Sequence, residues 1–230
     1  MKIIKDEKII NRNARIGQIL SIVAMVVLGI GIYITFARRD LFNLSIVALM
    51  VGFLLSQLGI HYTNRWGRRP RHDELLDKAL KGLDSRYSLY HYVLPATHVL
   101  VGPAGVWTLF PKRQNGTITY SKNRWRQKTS GVFSAYMKIF AQEGLGRPDV
   151  EIQTENDALE KFFKKKLPDI ESPTIQTALV FFNPEVDLQV EEAPAQVILG
   201  AKLKDFIRKT AKEKPISLDT VSAIQDFLGE

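Results

Sequence analysis

The side chains able to do chemistry in this 230-residue sequence are few and unevenly spread. Between Lys112 and Lys128 lie Lys112, Arg113, Lys122, Arg124, Arg126 and Lys128 with no acid among them, and Tyr120 and Trp125 stand between. Cations interleaved with aromatics suit a nucleic-acid strand, whose phosphates pair with the charges and whose bases stack on the rings. The same cations suit anionic lipid headgroups, and a solvated hairpin with Trp125 in the core needs neither. A second group, Asp73, Glu74, Asp77, Lys78 and Lys81, reads as the wet face of a helix, with Asp84 just beyond it. His61, His72, His91 and His98 lack metal-ligand spacing, and His98 suits a core position as well as a base. The chain has no cysteine, which excludes disulfides and thiolate metal sites. It shows no Ser/His/Asp arrangement and no Gly-x-x-x-x-Gly-Lys phosphate loop.

The elements that would position these residues follow from pattern. Asp73–Leu83 has Leu76, Leu80 and Leu83 on one helical face and acids in its first turn. Tyr90–Val93, Val99–Val101 and Val106–Phe110 are strands, the last two joined by Gly102-Pro103-Ala104-Gly105. Asn115-Gly116 turns the chain into Thr117–Tyr120, giving an antiparallel meander. Helices are expected over 131–143 and 155–167, the second stopped by Pro168. Strands are expected at Thr177–Phe182 and Val197–Leu199, and Glu185–Glu192 reads as a solvated acidic loop. Lys202–Lys212 and Leu218–Leu228 close the chain as helices, the latter capped by Ser217. The fold class is α/β, with α+β as the alternative: a mixed sheet flanked by helices.

Two uncharged apolar runs, Gly17–Ala37 and Leu41–Thr63, precede all of this, separated by Arg38, Arg39 and Asp40. Each reaches the roughly 20 residues that a helix needs to cross the hydrocarbon core. A cleaved signal peptide is shorter and is not followed at once by a second run. Gly52 and Ser56 make a small-xxx-small pair suited to close helix packing. Lys2, Lys5, Lys8, Arg12 and Arg15 flank the first run, and Arg65, Arg68, Arg69 and Arg71 follow the second. The positive-inside rule then puts both termini in the cytoplasm and the short turn outside. Up to residue 72 the chain has 11 Lys and Arg against 3 Asp and Glu, which is the whole of the net +8. The basic balance therefore reports membrane flanks and is poor evidence for nucleic acid. The expected organisation is a basic cytosolic tail (1–15), two transmembrane helices (16–37 and 41–63), a basic linker (64–72), a core (73–130) and a C-terminal part completing the soluble domain (131–230). Residues 73–230 suffice for one domain with its own core.

One stretch carries a resemblance. Helix residues Glu74-Leu75-Leu76 are followed by Thr97-His98-Val99-Leu100-Val101-Gly102-Pro103-Ala104-Gly105-Val106, then Phe110-Pro111-Lys112, Gly116 and Trp125. Over residues 73–130 this resembles the NERD (nuclease-related) domain of the PD-(D/E)xK nuclease-like superfamily. The resemblance implies a nuclease-like fold, with Glu74 matching the helix glutamate, His98 the histidine after the catalytic aspartate, and Lys112 the lysine of Glu-x-Lys. Thr97 stands where the family has the aspartate and Phe110 where it has the strand glutamate. Such nucleases hold Mg²⁺ on carboxylates, and Mg²⁺ demands hard oxygen ligands in near-octahedral geometry. A neutral hydroxyl and a phenyl ring do not supply them.

The expected function is accordingly a membrane-anchored, catalytically inactive NERD-like domain, a pseudoenzyme of the cell inner membrane that binds or scaffolds at the bilayer surface. Lys122, Arg124, Trp125 and Arg126 are its candidate binding residues, and no cofactor is expected. The alternative is a metal-dependent nuclease with a site rebuilt from Glu74, Asp77 and Lys112, which would take Mg²⁺. A third reading is a membrane-complex subunit docking a protein partner. The partners open at this point are the bilayer and its anionic headgroups, nucleic acid, a protein, or further copies of the chain.

Overall fold

The computed structural model describes residues 1–128, 144–167 and 173–229. The expected helix over 131–143 and the stop at Pro168 lie outside them. The described residues divide into two compact units: Glu7–Arg71 form one, and the other is built from Met1–Asp6 and the described residues from His72 onward.

The first unit is a helical hairpin. Helix α1 (Glu7–Ala37) and helix α2 (Phe42–Tyr62) are joined by a 3-10 turn at Arg39–Leu41, and α2 runs into a π-helical turn at Thr63–Gly67. Both helices are long and apolar enough to cross a membrane. Their buried positions are Ile10, Gly17, Ala24 and Gly31 on α1 and Ser45, Gly52 and Gly59 on α2. That spacing is a heptad seam, which keeps two helices in register along their length. The backbones approach so closely that a Cβ on Gly52 would lie 2.7 Å from Leu28, and one on Gly59 2.7 Å from the Ser21 hydroxyl. Gly52 therefore packs as expected, but its partners along the seam are Ser45 and Gly59, and Ser56 stays half-buried. The bulky residues, including Ile22, Met25, Phe36, Met50 and Leu54, face outward.

The second unit is mixed α/β. Its central sheet has six strands in the order β1-β2-β3-β4-β7-β9: β1 (Lys2–Lys5), β2 (Ser88–His91), β3 (His98–Gly102), β4 (Gly105–Lys112), β7 (Ile175–Phe181) and β9 (Gln196–Leu199). β2, β3 and β4 form the antiparallel meander, with the β3–β4 turn made by Gly105 at φ +103°. β7 joins β4 in parallel, a pairing that needs a long crossover connection between the two strands. A second sheet, β6-β5-β8, contains β5 (Gly116–Ser121), β6 (Arg124–Lys128) and β8 (Val186–Val190). The helices are α3 (His72–Leu80), α4 (Pro148–Lys166), α5 (Leu203–Glu213) and α6 (Leu218–Gly229). α3 and α5 cover one face of the central sheet through Leu76, Leu80, Leu203 and Ile207, packed on Leu89, Leu100, Trp107 and Leu109. α4 and α6 cover the other through Leu159, Phe163, Val221 and Ile224, packed on Tyr90, Val99, Val101 and Val106. The small sheet packs on that second face, where Ile118 meets Phe110, Leu179 and Phe181.

Four local expectations change. Residues 1–15 do not form a tail: Lys2–Lys5 pairs in parallel with β2, and α1 starts at Glu7. The strand at Thr117–Tyr120 leaves the meander for the second sheet. The acidic stretch after Glu185 is strand β8, parallel to β5 with Ile118 opposite Leu188. β4 continues through Pro111 to Lys112. The Lys112 carbonyl accepts from the Phe182 amide at 2.9 Å, so Pro111 turns its nitrogen to the opposite side. There the pairing with β3 has ended at Val99–Thr108, and no partner requires the missing donor.

Candidate functional site

Alternation along β3 and β4 sorts the residues of the resemblance onto opposite faces of the sheet. Thr97, Thr108, Phe110 and Lys112 share the face covered by α4, whereas His98 shares the face covered by α3. Glu74 and Asp77 lie on α3. The rebuilt site of Glu74, Asp77 and Lys112 therefore does not assemble, because a whole sheet separates α3 from Lys112.

Lys112 and Thr97 find other acids. α4 lays a polar row beside its apolar stripe of Ile152, Leu159 and Phe163. Glu151 pairs with the Lys112 ammonium. One turn on, Glu155 takes the Thr97 amide on Oε2 at 2.8 Å and the Thr97 hydroxyl on Oε1. Asn156 closes the row: its Oδ1 accepts from the Thr108 hydroxyl at 2.8 Å, and its amide donates to the Thr177 hydroxyl at 2.9 Å. Phe110 is 3% exposed and packs in the core with Ile118, Leu179 and Phe181. Mg²⁺ fits this set poorly. The two acids already serve Lys112 and Thr97, and among the described residues no three His, Asp or Glu side chains form a group able to hold a metal.

The α3 face holds a more deeply buried network. Asp73 is wholly buried, and the Lys5 ammonium reaches it at 2.8 Å while also pairing with Asp77. His91 Nε2 lies 3.1 Å from Asp77 Oδ1, and His91 Nδ1 lies 2.7 Å from His98 Nδ1. A neutral His91 satisfies both contacts, donating from Nε2 to Asp77 and accepting at Nδ1 from the His98 Nδ1–H. Burial works to raise the Asp77 pKa, but hydrogen bonds from His91 and Lys5 outweigh it and hold the carboxyl below its ordinary value. Burial likewise opposes the charge on Lys5, and its bonds to Asp73 and Asp77 raise its pKa nonetheless.

The basic segment forms the β5–β6 hairpin. Lys122 (φ 51°) and Asn123 (φ 56°) are its two turn residues, the double positive φ of a type I′ turn. On β6, Arg124, Arg126 and Lys128 are exposed and stand opposite Ser121, Thr119 and Thr117 of β5. Trp125 points to the other face, where its ring meets Tyr120 at 4.9 Å and packs on the core beside Ile118. Cations and aromatics are adjacent in sequence but opposed in space. Among the described residues no ion pair joins Lys122, Arg124, Arg126 or Lys128. Elsewhere in this unit, a cleft of about 700 Å³ is lined in part by Arg86, Arg208 and Lys212. Arg86 holds Asp84 and Arg208 holds the Gly82 carbonyl, each within hydrogen-bond distance.

Sequence reasoning missed Lys5, Asp73 and His91 as one cluster, and Glu151 and Glu155 as the acids beside Lys112 and Thr97. The available signal for the latter was their one-turn spacing with Asn156 on a helix. Compared with protein-family models, curated proteins and solved structures, the chain finds no match.

Proposed function

We propose that this protein is a membrane-anchored binding module, with its second unit in the cytoplasm and the outer face of the β5–β6 hairpin engaging phosphate groups of anionic lipid. The observation that carries this reading is the separation of Arg124, Arg126 and Lys128 from Tyr120 and Trp125. A surface with cations and hydroxyls but no exposed ring suits headgroup phosphates, and it offers no platform for stacked bases. Anchoring is supported by the outward bulky side chains of α1 and α2, an apolar surface far larger than a water-soluble unit tolerates. Sidedness is supported by β1: a strand from before the first helix pairs with β2 from after the second, which fits a hairpin whose two ends share one side. The resemblance to a nuclease-related domain fits the meander and its Gly-Pro turn. Phe110 and the engagement of Glu151 and Glu155 speak against cleavage.

The absence of native cysteine gives a direct test. The Ser121→Cys chain carries a single thiol opposite Arg124. In vesicles of phosphatidylcholine that thiol reacts freely with an aqueous maleimide; added phosphatidylglycerol should slow the reaction several-fold. Roughly 1 M salt, where the Debye length is about 3 Å, should restore it. Equal reactivity in both lipids would refute the lipid reading, and protection by single-stranded DNA instead would replace it.

A second reading, phosphodiester hydrolysis, draws on Glu151 and Glu155, which return carboxylates to the neighbourhood of Lys112 and Thr97. Purified chain with Mg²⁺ or Mn²⁺ and plasmid DNA tests it. Cleavage abolished by Glu155→Gln and Lys112→Ala would establish that reading; no cleavage above those controls is the expected result.

A further inference from the structure

β1 is an unusual edge strand. Its four residues are exposed or half-buried, whereas every residue of its partner β2 is buried. Of its own residues Ile4 is partly buried against one core cluster, and the preceding Met1 is partly buried against another. Its backbone hold ends at the Asp6 amide, which donates to the His91 carbonyl at 3.1 Å. The strongest tie is Lys5, whose ammonium sits between Asp73 and Asp77. Those carboxylates lie on α3, the first helix after the hairpin, and Asp77 continues the contact to His91 and His98 on β2 and β3. Removing Lys5 from this pocket leaves a wholly buried aspartate without that cation, so intermediate positions of β1 are disfavoured. Covalent connection is equally tight: only Asp6 separates β1 from α1.

We infer that β1 is a latch, seated by Lys5 between Asp73 and Asp77, that couples the position of the first membrane helix to the edge of the central sheet. A pull on α1 is transmitted through one residue to Lys5. Because the pocket pairs a half-buried Lys5 with the wholly buried Asp73, the seated strand is favoured over partly released ones, which is the two-state behaviour a coupling element needs. Release uncovers the β2 edge and loosens the carboxylates around His91. The inference rests on the membrane reading of α1 only for the origin of the pull.

Amide exchange of the full chain tests both parts. In detergent, Lys5→Met should raise exchange across residues 2–6 and 86–92 by at least tenfold. The triple variant Lys5→Met, Asp73→Asn, Asp77→Asn, which removes the three charges together, should recover most of the protection. Unchanged exchange in Lys5→Met, or no recovery in a folded triple variant, would overturn the latch. In bilayers of short-chain and long-chain phosphatidylcholine, which impose different mismatch on a spanning helix, exchange of the same residues should differ several-fold in the native chain and be equal in the triple variant. Equal exchange in both bilayers for the native chain would overturn the coupling. Release of the chain from membranes by alkaline carbonate would instead overturn the anchoring on which the coupling draws.

Discussion

The hairpin and the α/β unit bury opposite kinds of side chain. Along the hairpin seam the buried residues are small: Gly17, Ala24 and Gly31 on one helix, Ser45, Gly52 and Gly59 on the other. In the α/β unit, charged and polar groups lie deep among leucines and valines: Asp73, His91 and Thr108 are wholly buried, and His98 nearly so. The reason lies in what each solvent rewards. If lipid surrounds the two apolar helices, burying apolar bulk between them gains nothing, and close backbone approach and dispersion drive association. In water the apolar core supplies the driving force, and a buried polar group is tolerated only where every partner is in place. The hairpin should therefore fail by addition of atoms, and the α/β unit by removal of a partner.

The largest effect should come from breaking the network on the α3 face. Lys5→Met leaves Asp73 and Asp77 without their shared cation and should cost about 3–5 kcal/mol, the range for one partner lost from a buried ion pair. Thermal unfolding of the detergent-solubilised chain measures it; a loss below 1 kcal/mol would erase the contrast between the two regions. Next comes growth in the seam. Gly52→Leu places a side chain against Leu28 and should cost about 1–3 kcal/mol by overpacking, read as a wider spacing between spin labels on α1 and α2. Thr97→Val removes the hydroxyl that serves Glu155 and should cost about 1–2 kcal/mol. Acid should act on the α/β unit through Asp77. Its folded pKa lies below the unfolded value, so its contribution is complete above that value, near 3.8, and is lost as pH falls through the lower folded one. Lys5 acts at the other end: its contribution is complete below 10.5 and is lost as pH rises through its raised folded value. An acid limb equally steep in the Lys5→Met chain would show that Asp77 owes nothing to Lys5. The smallest effect on stability belongs to Arg124→Gln with Arg126→Gln, within about 0.5 kcal/mol for exposed sites, even as the lipid protection of Ser121→Cys disappears.

The same contrast decides what was legible in the sequence. The hairpin could be read directly, because its signal is composition and length, although the true packing period needed the structure: Gly52 has Ser56 four residues away and Gly59 seven. The meander was legible because Gly102-Pro103-Ala104-Gly105 punctuates two apolar strands. β1, β6 and β8 were not: β6 and β8 alternate or carry few apolar residues, and β1 and β8 gain their partners from far along the chain, as Lys2 does from Ser88. The candidate site suffered most. A helix start at Glu155 in place of Pro148 omits Glu151, and no local pattern says which sheet face a helix will cover. Glu74 and Lys112 were therefore grouped by family order and parted by the sheet.

The pairing of β1 with β2 also constrains how the protein is made. β1 is synthesised before the hairpin, yet its partner is made only after both hairpin helices. Until then the strand has no sheet to join. If the hairpin crosses the bilayer twice, both ends return to one compartment and the strand meets β2. If only one helix inserts as a span, β1 is stranded across the membrane and the β2 edge stays open, a template for aggregation. On that reading, completion of the sheet would depend on both helices crossing, because only then do β1 and β2 meet.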